Sequence, residues 1–128
     1  LRERVIEPNR RIVEGLRRRG PDAPAIGFPR GAAGMIGEYV ERTGVNAVGL
    51  DYATPPAFAD RAVSKSTAVQ GNLDPLRLVA GGRQMEDQAR AILSAFADRP
   101  HIFNLGHGIV PETPIPHVER LIDIVRNG

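Results

Sequence analysis

Apolar residues recur along this chain in two alternating rhythms. Some stretches place them three and four positions apart, the period of a helix buried on one face. Others are short runs of adjacent apolar residues, as in a strand covered on both sides. Ile12, Val13 and Leu16 share one face of a first helix, with Pro8 in its first turn and Gly20-Pro21 at its end. Residues 24–29 then read as a short buried strand, and Met35, Ile36, Tyr39 and Val40 as a helical stripe ending near Thr43-Gly44. Residues 46–51 form a second strand. Thr54 is placed to cap a short helix through Phe58 and Ala62, with Pro55 at its first position. Residues 67–70 are a third strand, followed by one turn carrying Leu76, Leu78 and Val79 and a helix carrying Met85, Ala89, Ile92, Leu93 and Phe96. His101 to Leu105 is the fourth strand, and Val118, Leu121, Ile122 and Val125 mark the last helix.

The order is a helix followed by four strand-then-helix units, which predicts parallel strands joined by crossovers. Four such units make either a small open α/β sheet or half of an eight-stranded barrel. Each strand runs into a polar or glycine-rich segment: Gly27-Phe28-Pro29-Arg30-Gly31, Gly49-Leu50-Asp51-Tyr52, Gln70-Gly71-Asn72-Leu73-Asp74-Pro75 and Leu105-Gly106-His107-Gly108. In α/β folds the site sits at that end of the strands. The last segment shows the most chemistry. Glycine on both sides of His107 leaves its imidazole unscreened at a strand exit, able to donate or accept a hydrogen bond and to change charge near neutral pH.

The chain has 128 residues, enough for one small domain, and is 41% hydrophobic and 25% charged, as expected of a globular protein. No apolar run is long enough to span a bilayer and no leader pattern opens the sequence, so a cytoplasmic location without a membrane partner is expected. Cysteine is absent, which excludes a disulfide framework and a thiolate zinc site. The net charge is only +2, and the one dense basic cluster is Arg10, Arg11, Arg17, Arg18 and Arg19. No aromatic residues interleave with it, so it reads as a solvated helix face with cations toward the negative dipole end, and no nucleic-acid partner is expected.

Gln70-Gly71-Asn72-Leu73-Asp74-Pro75 and the long run from Phe103-Asn104-Leu105-Gly106-His107-Gly108-Ile109 through Pro111 and Thr113-Pro114 resemble two signatures of the uroporphyrinogen decarboxylase family. Gly27-Phe28-Pro29-Arg30-Gly31-Ala32 and Gly49-Leu50-Asp51-Tyr52 are similar to its strand ends, in the same order. The resemblance implies that residues 1–128 are a single partial domain, the C-terminal half of a (β/α)8 TIM barrel with about four β-α units preceded by a helix. It also implies a fragment: the arginine-bearing substrate loop, catalytic aspartate, tyrosine and hydroxyl residue of the family have no counterpart here. The implied activity is that of a carboxy-lyase of porphyrin and heme biosynthesis. It removes carbon dioxide from the four acetates of uroporphyrinogen III, giving coproporphyrinogen III, with no metal or organic cofactor. A homodimer is implied as well. No catalytic residue lies within this chain, which by itself is expected to be inactive and to self-associate.

On this resemblance His107 binds a substrate carboxylate; on spacing alone it could equally brace the turn. Arg30 faces the anionic substrate, lies on the surface, or clamps Asp51. Asp74 caps the helix beginning at Pro75. His101 and His117 have no partners at metal-ligand spacing and are expected to be structural or solvated, Glu112 is a loop charge, and Asp51-Tyr52 can line the cleft without a catalytic role. Gly106 is expected to need a conformation or clearance that only glycine provides. Two other classes fit less well. A zinc methyltransferase of the same superfamily is opposed by the lack of cysteine, and a half-barrel that only binds or self-associates would use its two open strand edges.

Overall fold

The computed structural model describes residues 1–20 and 22–128; Pro21, expected to help end the first helix, lies outside the described residues. A π-helical turn at Arg2–Ile6 leads into α1 (Glu7–Arg19). Four strands follow, β1 (Ile26–Gly27), β2 (Ala47–Gly49), β3 (Ala68–Gln70) and β4 (His101–Ile102), in one parallel sheet of order β1-β2-β3-β4. Helices α2 (Ile36–Thr43), α3 (Pro56–Ala62), α4 (Pro75–Ala80), α5 (Gly82–Ala95) and α6 (Ile115–Asn127) fill the intervals and the C-terminus. The chain thus has the parallel α/β architecture expected from its alternating pattern, consistent with part of a (β/α)8 barrel. No helix among the described residues is long and apolar enough to cross a membrane.

The strands are shorter than their apolar runs, but pairing resumes beyond them where Leu73 bridges Leu105. Register assigns the two faces. Gly27, Val48, Val69 and His101 stand side by side and point to the helices. Tyr39 of α2 lies over Gly27, where any β-carbon would collide with its ring. Val48 and Val69 are fully buried in one core with Ile36, Tyr39 and Val40 of α2, Ala59 of α3, Met85, Ala89 and Ile92 of α5, and Phe96 at the end of α5. α2 stops at Gly44, whose φ of 68° is the left-handed conformation glycine adopts most readily.

The opposite face is open, as expected of half a barrel: Ile26, Phe28 and Ile102 are 52%, 47% and 46% exposed, although residues 24–29 by themselves read as a buried strand. Their apolar character marks a surface shaped for cover, and no part of the described chain lies over them. Ile12 and Leu16 of α1 are likewise exposed while Val13 is buried, because α1 packs along one narrow seam against α2. Within that seam Tyr39 Oη donates to Asn9 Oδ1 at 3.0 Å. On α6 the buried positions are Leu121 and Ile124, with Ile122 turned outward, and on α4 Leu78 is buried while Leu76 is exposed.

Helix α3 starts one residue later than its sequence suggests. Pro56 follows Pro55 and drives it out of the helical region (ψ 128°), so Pro56 takes the first turn. Thr54 does not cap the helix; its hydroxyl donates to Asp51 Oδ1 at 3.0 Å. The arginine cluster of α1 is partly neutralised: Arg10 and Arg11 hydrogen-bond to Glu7 and hold its carboxyl down at about 2, and Arg10 also pairs with Glu14.

Candidate functional site

All four strands deliver a loop to the same end of the sheet, and each loop is tied to its neighbour. After β1 the chain turns at Gly31, which has a φ of 72°, and the Gly31 N–H donates to Asp51 Oδ2 at 2.7 Å. Asp51, at the end of β2, is 8% exposed, and its other oxygen accepts from the Ala53 N–H at 3.1 Å as well as from Thr54. Three donors thus hold a buried carboxylate that has no cationic partner among the described residues. The expected alternative in which Arg30 clamps Asp51 is not what occurs: the backbone of the Arg30 loop makes the contact.

After β3, Asn72 is buried, and its Nδ2 donates to the carbonyls of Asp51 at 2.9 Å and Thr54 at 2.7 Å. Asp74 accepts from the Leu76 N–H at 2.9 Å, capping α4 as its position before Pro75 predicts. The last two loops are joined by Leu73 N–H to Asn104 O at 3.1 Å and Gly106 N–H to Leu73 O at 2.7 Å.

The two glycines beside His107 have different roles. Gly106 is buried, and a β-carbon there would come within 2.2 Å of the Tyr52 backbone nitrogen; its φ is not in the left-handed region, so the requirement is clearance. Gly108 is exposed with open space around it. Close packing of Gly106 onto the β2 loop therefore brings His107 to the mouth, and Gly108 leaves the imidazole uncovered.

His107 is exposed and shares a hollow of about 230 Å³ with Arg30, Tyr52, Asp74, Leu76 and Val110, so that one wall comes from each of the four strand ends. Arg30 and His107 leave strands at opposite edges of the sheet, yet their loops meet here. Neither side chain has a hydrogen-bonding partner among the described residues. His107 also borders a larger open cleft of about 620 Å³ that runs down the inner face past Phe28, Gly49, Leu50, Gln70 and Leu105. An arginine fork and an imidazole with no protein partner, beside an apolar trough, suit a ligand with a hydrophobic body and carboxylate arms.

The other histidines are structural. His101 Nε2 donates to Gly71 O at 2.7 Å, and its ring lies 4.8 Å from Phe96 and 6.0 Å from Phe103. Burial pushes its pKa down, outweighing the bond to Gly71, and nearby Arg99 pushes the same way. His117 Nδ1 donates to Leu78 O at 2.9 Å. Glu112 is exposed in its loop. No three His, Asp or Glu side chains gather as a metal-ligand set among the described residues.

Two residues escaped the sequence reading. Asn72 was visible only as part of the polar segment that follows the third strand. Arg99 is fully buried between α5 and β4, where it donates to the carbonyls of Val63, Ser64 and Thr67 at 3.1, 2.5 and 2.6 Å and pairs with Asp60 at 3.3 Å. Their partners are mainly backbone carbonyls, which no residue type signals.

A family model described as uroporphyrinogen decarboxylase (URO-D) matches residues 1–128. Curated relatives named uroporphyrinogen decarboxylase are similar along the same length. The protein of Hyphomonas neptunium is 56% identical over 128 residues, covering 100% of this chain and 37% of the relative. That of Sphingopyxis alaskensis is 56% identical over 124 residues, covering 97% and 36%, and that of Erythrobacter litoralis 54% over 123 residues, covering 96% and 36%. The chain therefore spans little more than a third of the length of these relatives.

Proposed function

We propose, from the premise that this chain belongs to the uroporphyrinogen decarboxylase family, that it forms the carboxylate-binding side of a uroporphyrinogen site. The activity served is the cofactor-independent decarboxylation of the four acetates of uroporphyrinogen III to give coproporphyrinogen III, in the cytoplasm and within the C-terminal half of a barrel. The chemistry uses the substrate as its own electron sink. A proton adds to the ring carbon next to the one that bears the acetate and makes an iminium conjugated to that carbon. The bond to the carboxylate breaks, carbon dioxide leaves, and the electron pair flows into the ring. The exocyclic carbon then takes up a proton to become methyl, and the ring carbon releases its own. This chain contributes binding and orientation to that sequence; no catalytic group is assigned to it.

His107 donates a hydrogen bond to one substrate carboxylate, and Arg30 pairs with another through its fork. The observation that carries the reading is the meeting of these two side chains, from opposite edges of the sheet, in one hollow walled by all four strand-end loops. Titration of the chain with uroporphyrin, the fluorescent oxidised form of the substrate, tests it. His107→Ala is expected to weaken binding by about 1.5–3 kcal/mol, the worth of a charge-assisted hydrogen bond. Unchanged affinity would remove His107 from the site, and coproporphyrinogen made by this chain alone would overturn the assignment of catalysis elsewhere.

A second reading, self-association including the homodimer implied by the family, is favoured by the uncovered Ile26, Phe28 and Ile102. Light scattering tests it, and a monomer at all concentrations would discard it.

A further inference from the structure

We propose that Asp51 is a positioning residue that sets Arg30 at the mouth, with Asn72 as the second tie. This rests on the reading that Arg30 and His107 bind substrate carboxylates. Arg30 has no side-chain partner among the described residues, so the backbone that carries it fixes where its long, flexible side chain begins. Within the loop that backbone is closed by Arg30 N–H to Phe28 O at 3.1 Å and Ala32 N–H to Pro29 O at 3.2 Å, and its tie to the neighbouring strand end is the Gly31 N–H, which donates to Asp51 Oδ2 at 2.7 Å. Asp51 is in turn fixed from the other side. Oδ1 accepts from Ala53 N–H and Thr54 Oγ1, and its main-chain carbonyl accepts from Asn72 Nδ2 at 2.9 Å.

A carboxylate suits this junction because it offers acceptors on two oxygens, one toward each loop. Asparagine has one carbonyl oxygen; facing either side, it turns an NH2 group toward a backbone N–H on the other. At 8% exposure, water does not readily replace the lost acceptor. Asp51 is not among the residues walling the hollow, and both its oxygens are occupied, so it acts through Arg30 and does not touch the ligand. Ordering the base of the arginine in advance lowers the entropy lost when its fork closes on a carboxylate.

The test uses this chain as wild type, Asp51→Asn, Arg30→Ala and the double variant. Amide exchange is read at Gly31, and uroporphyrin is the binding probe. Asp51→Asn is expected to speed Gly31 exchange about tenfold while Val69, bonded to Pro100 O, is unchanged. It is also expected to weaken uroporphyrin binding about tenfold in the wild-type background and not at all in Arg30→Ala, because the two changes remove one interaction. A Gly31 amide that exchanges freely in the wild type overturns the proposal, as does an Asp51→Asn effect that persists without Arg30. If the wild type binds no uroporphyrin, the substrate reading falls, and Gly31 protection and its loss in Asp51→Asn decide the role of Asp51 alone. If Asp51→Asn does not fold, the wild-type measurement still decides: protection supports the tie and free exchange overturns it.

Discussion

Two arginines at opposite ends of the sheet show how the same side chain is used for holding and for waiting. Arg99 lies where β3 and β4 begin, fully buried, with its guanidinium spread over carbonyls that end α3 and lead into β3. Arg30 lies where β1 ends, exposed and without a side-chain partner among the described residues. At the first end the fold engages both terminal nitrogens of the guanidinium and leaves only Nε without a partner. At the second it fastens the loops through backbone and through Asp51 and Asn72, while leaving Arg30 and His107 uncommitted. A group already satisfied has little to gain from a ligand, so the unsatisfied end is the one suited to bind.

The sharpest way to break this contrast is to remove the holding arginine. Arg99→Met is expected to cost about 3 kcal/mol, because buried carbonyls lose their donor and the carboxylate of Asp60 keeps only Lys65. Urea denaturation measures it, and a change under half a kilocalorie would show that water takes over those carbonyls. The next largest effect is at the mouth. Gly106→Val drives a side chain into the Tyr52 backbone and should cost about 2–3 kcal/mol, while its neighbour's variant His107→Ala should stay within about 0.5 kcal/mol of wild type. Thermal melts of the two variants separate them; equal midpoints would remove the distinction between a packed glycine and a displayed histidine.

The smallest effect concerns His101, the histidine that holds. Its pKa lies below the ordinary 6.5, so the unfolded chain takes up a proton that the folded one refuses. Its contribution is complete above 6.5 and is lost as the pH falls from there through the folded value. As the pH falls below 6.5 the wild type should lose stability, measured by urea denaturation, that His101→Gln does not lose. Glu38 and Glu86, whose values are lowered by arginines from an ordinary 4.5, act only in more acid solution, so the two steps are separable.

Much of this was legible in the chain. The alternation of periods gave four parallel strands, Gly44 and Asp74 marked their helix ends, and the polar strand exits meet in the hollow that His107 and Arg30 line. What stayed hidden has two physical causes. Ile12, Leu16, Ile26 and Phe28 are apolar, and a pattern shows which face wants cover, not whether a neighbour supplies it. Asn72 and Arg99 bond mainly to main-chain carbonyls, which every residue carries alike, so their partners leave no trace in residue identity. Thr54 shows a third case, in which two consecutive prolines overrode a good capping residue.

The parallel register also sets how the chain must come together in time. Ile26 pairs with Ala47, and Ala47 with Ala68, each across 21 residues, whereas Val69 reaches His101 across 32. No strand among the described residues has a hairpin partner, so every pairing waits for a loop to close around a helix. The longer closure costs only about 0.4 kcal/mol more in chain entropy, because that cost grows with the logarithm of length. Two helices fit into the β3–β4 interval at almost no thermodynamic penalty, and what the arrangement gives up is speed, since non-local contacts form late.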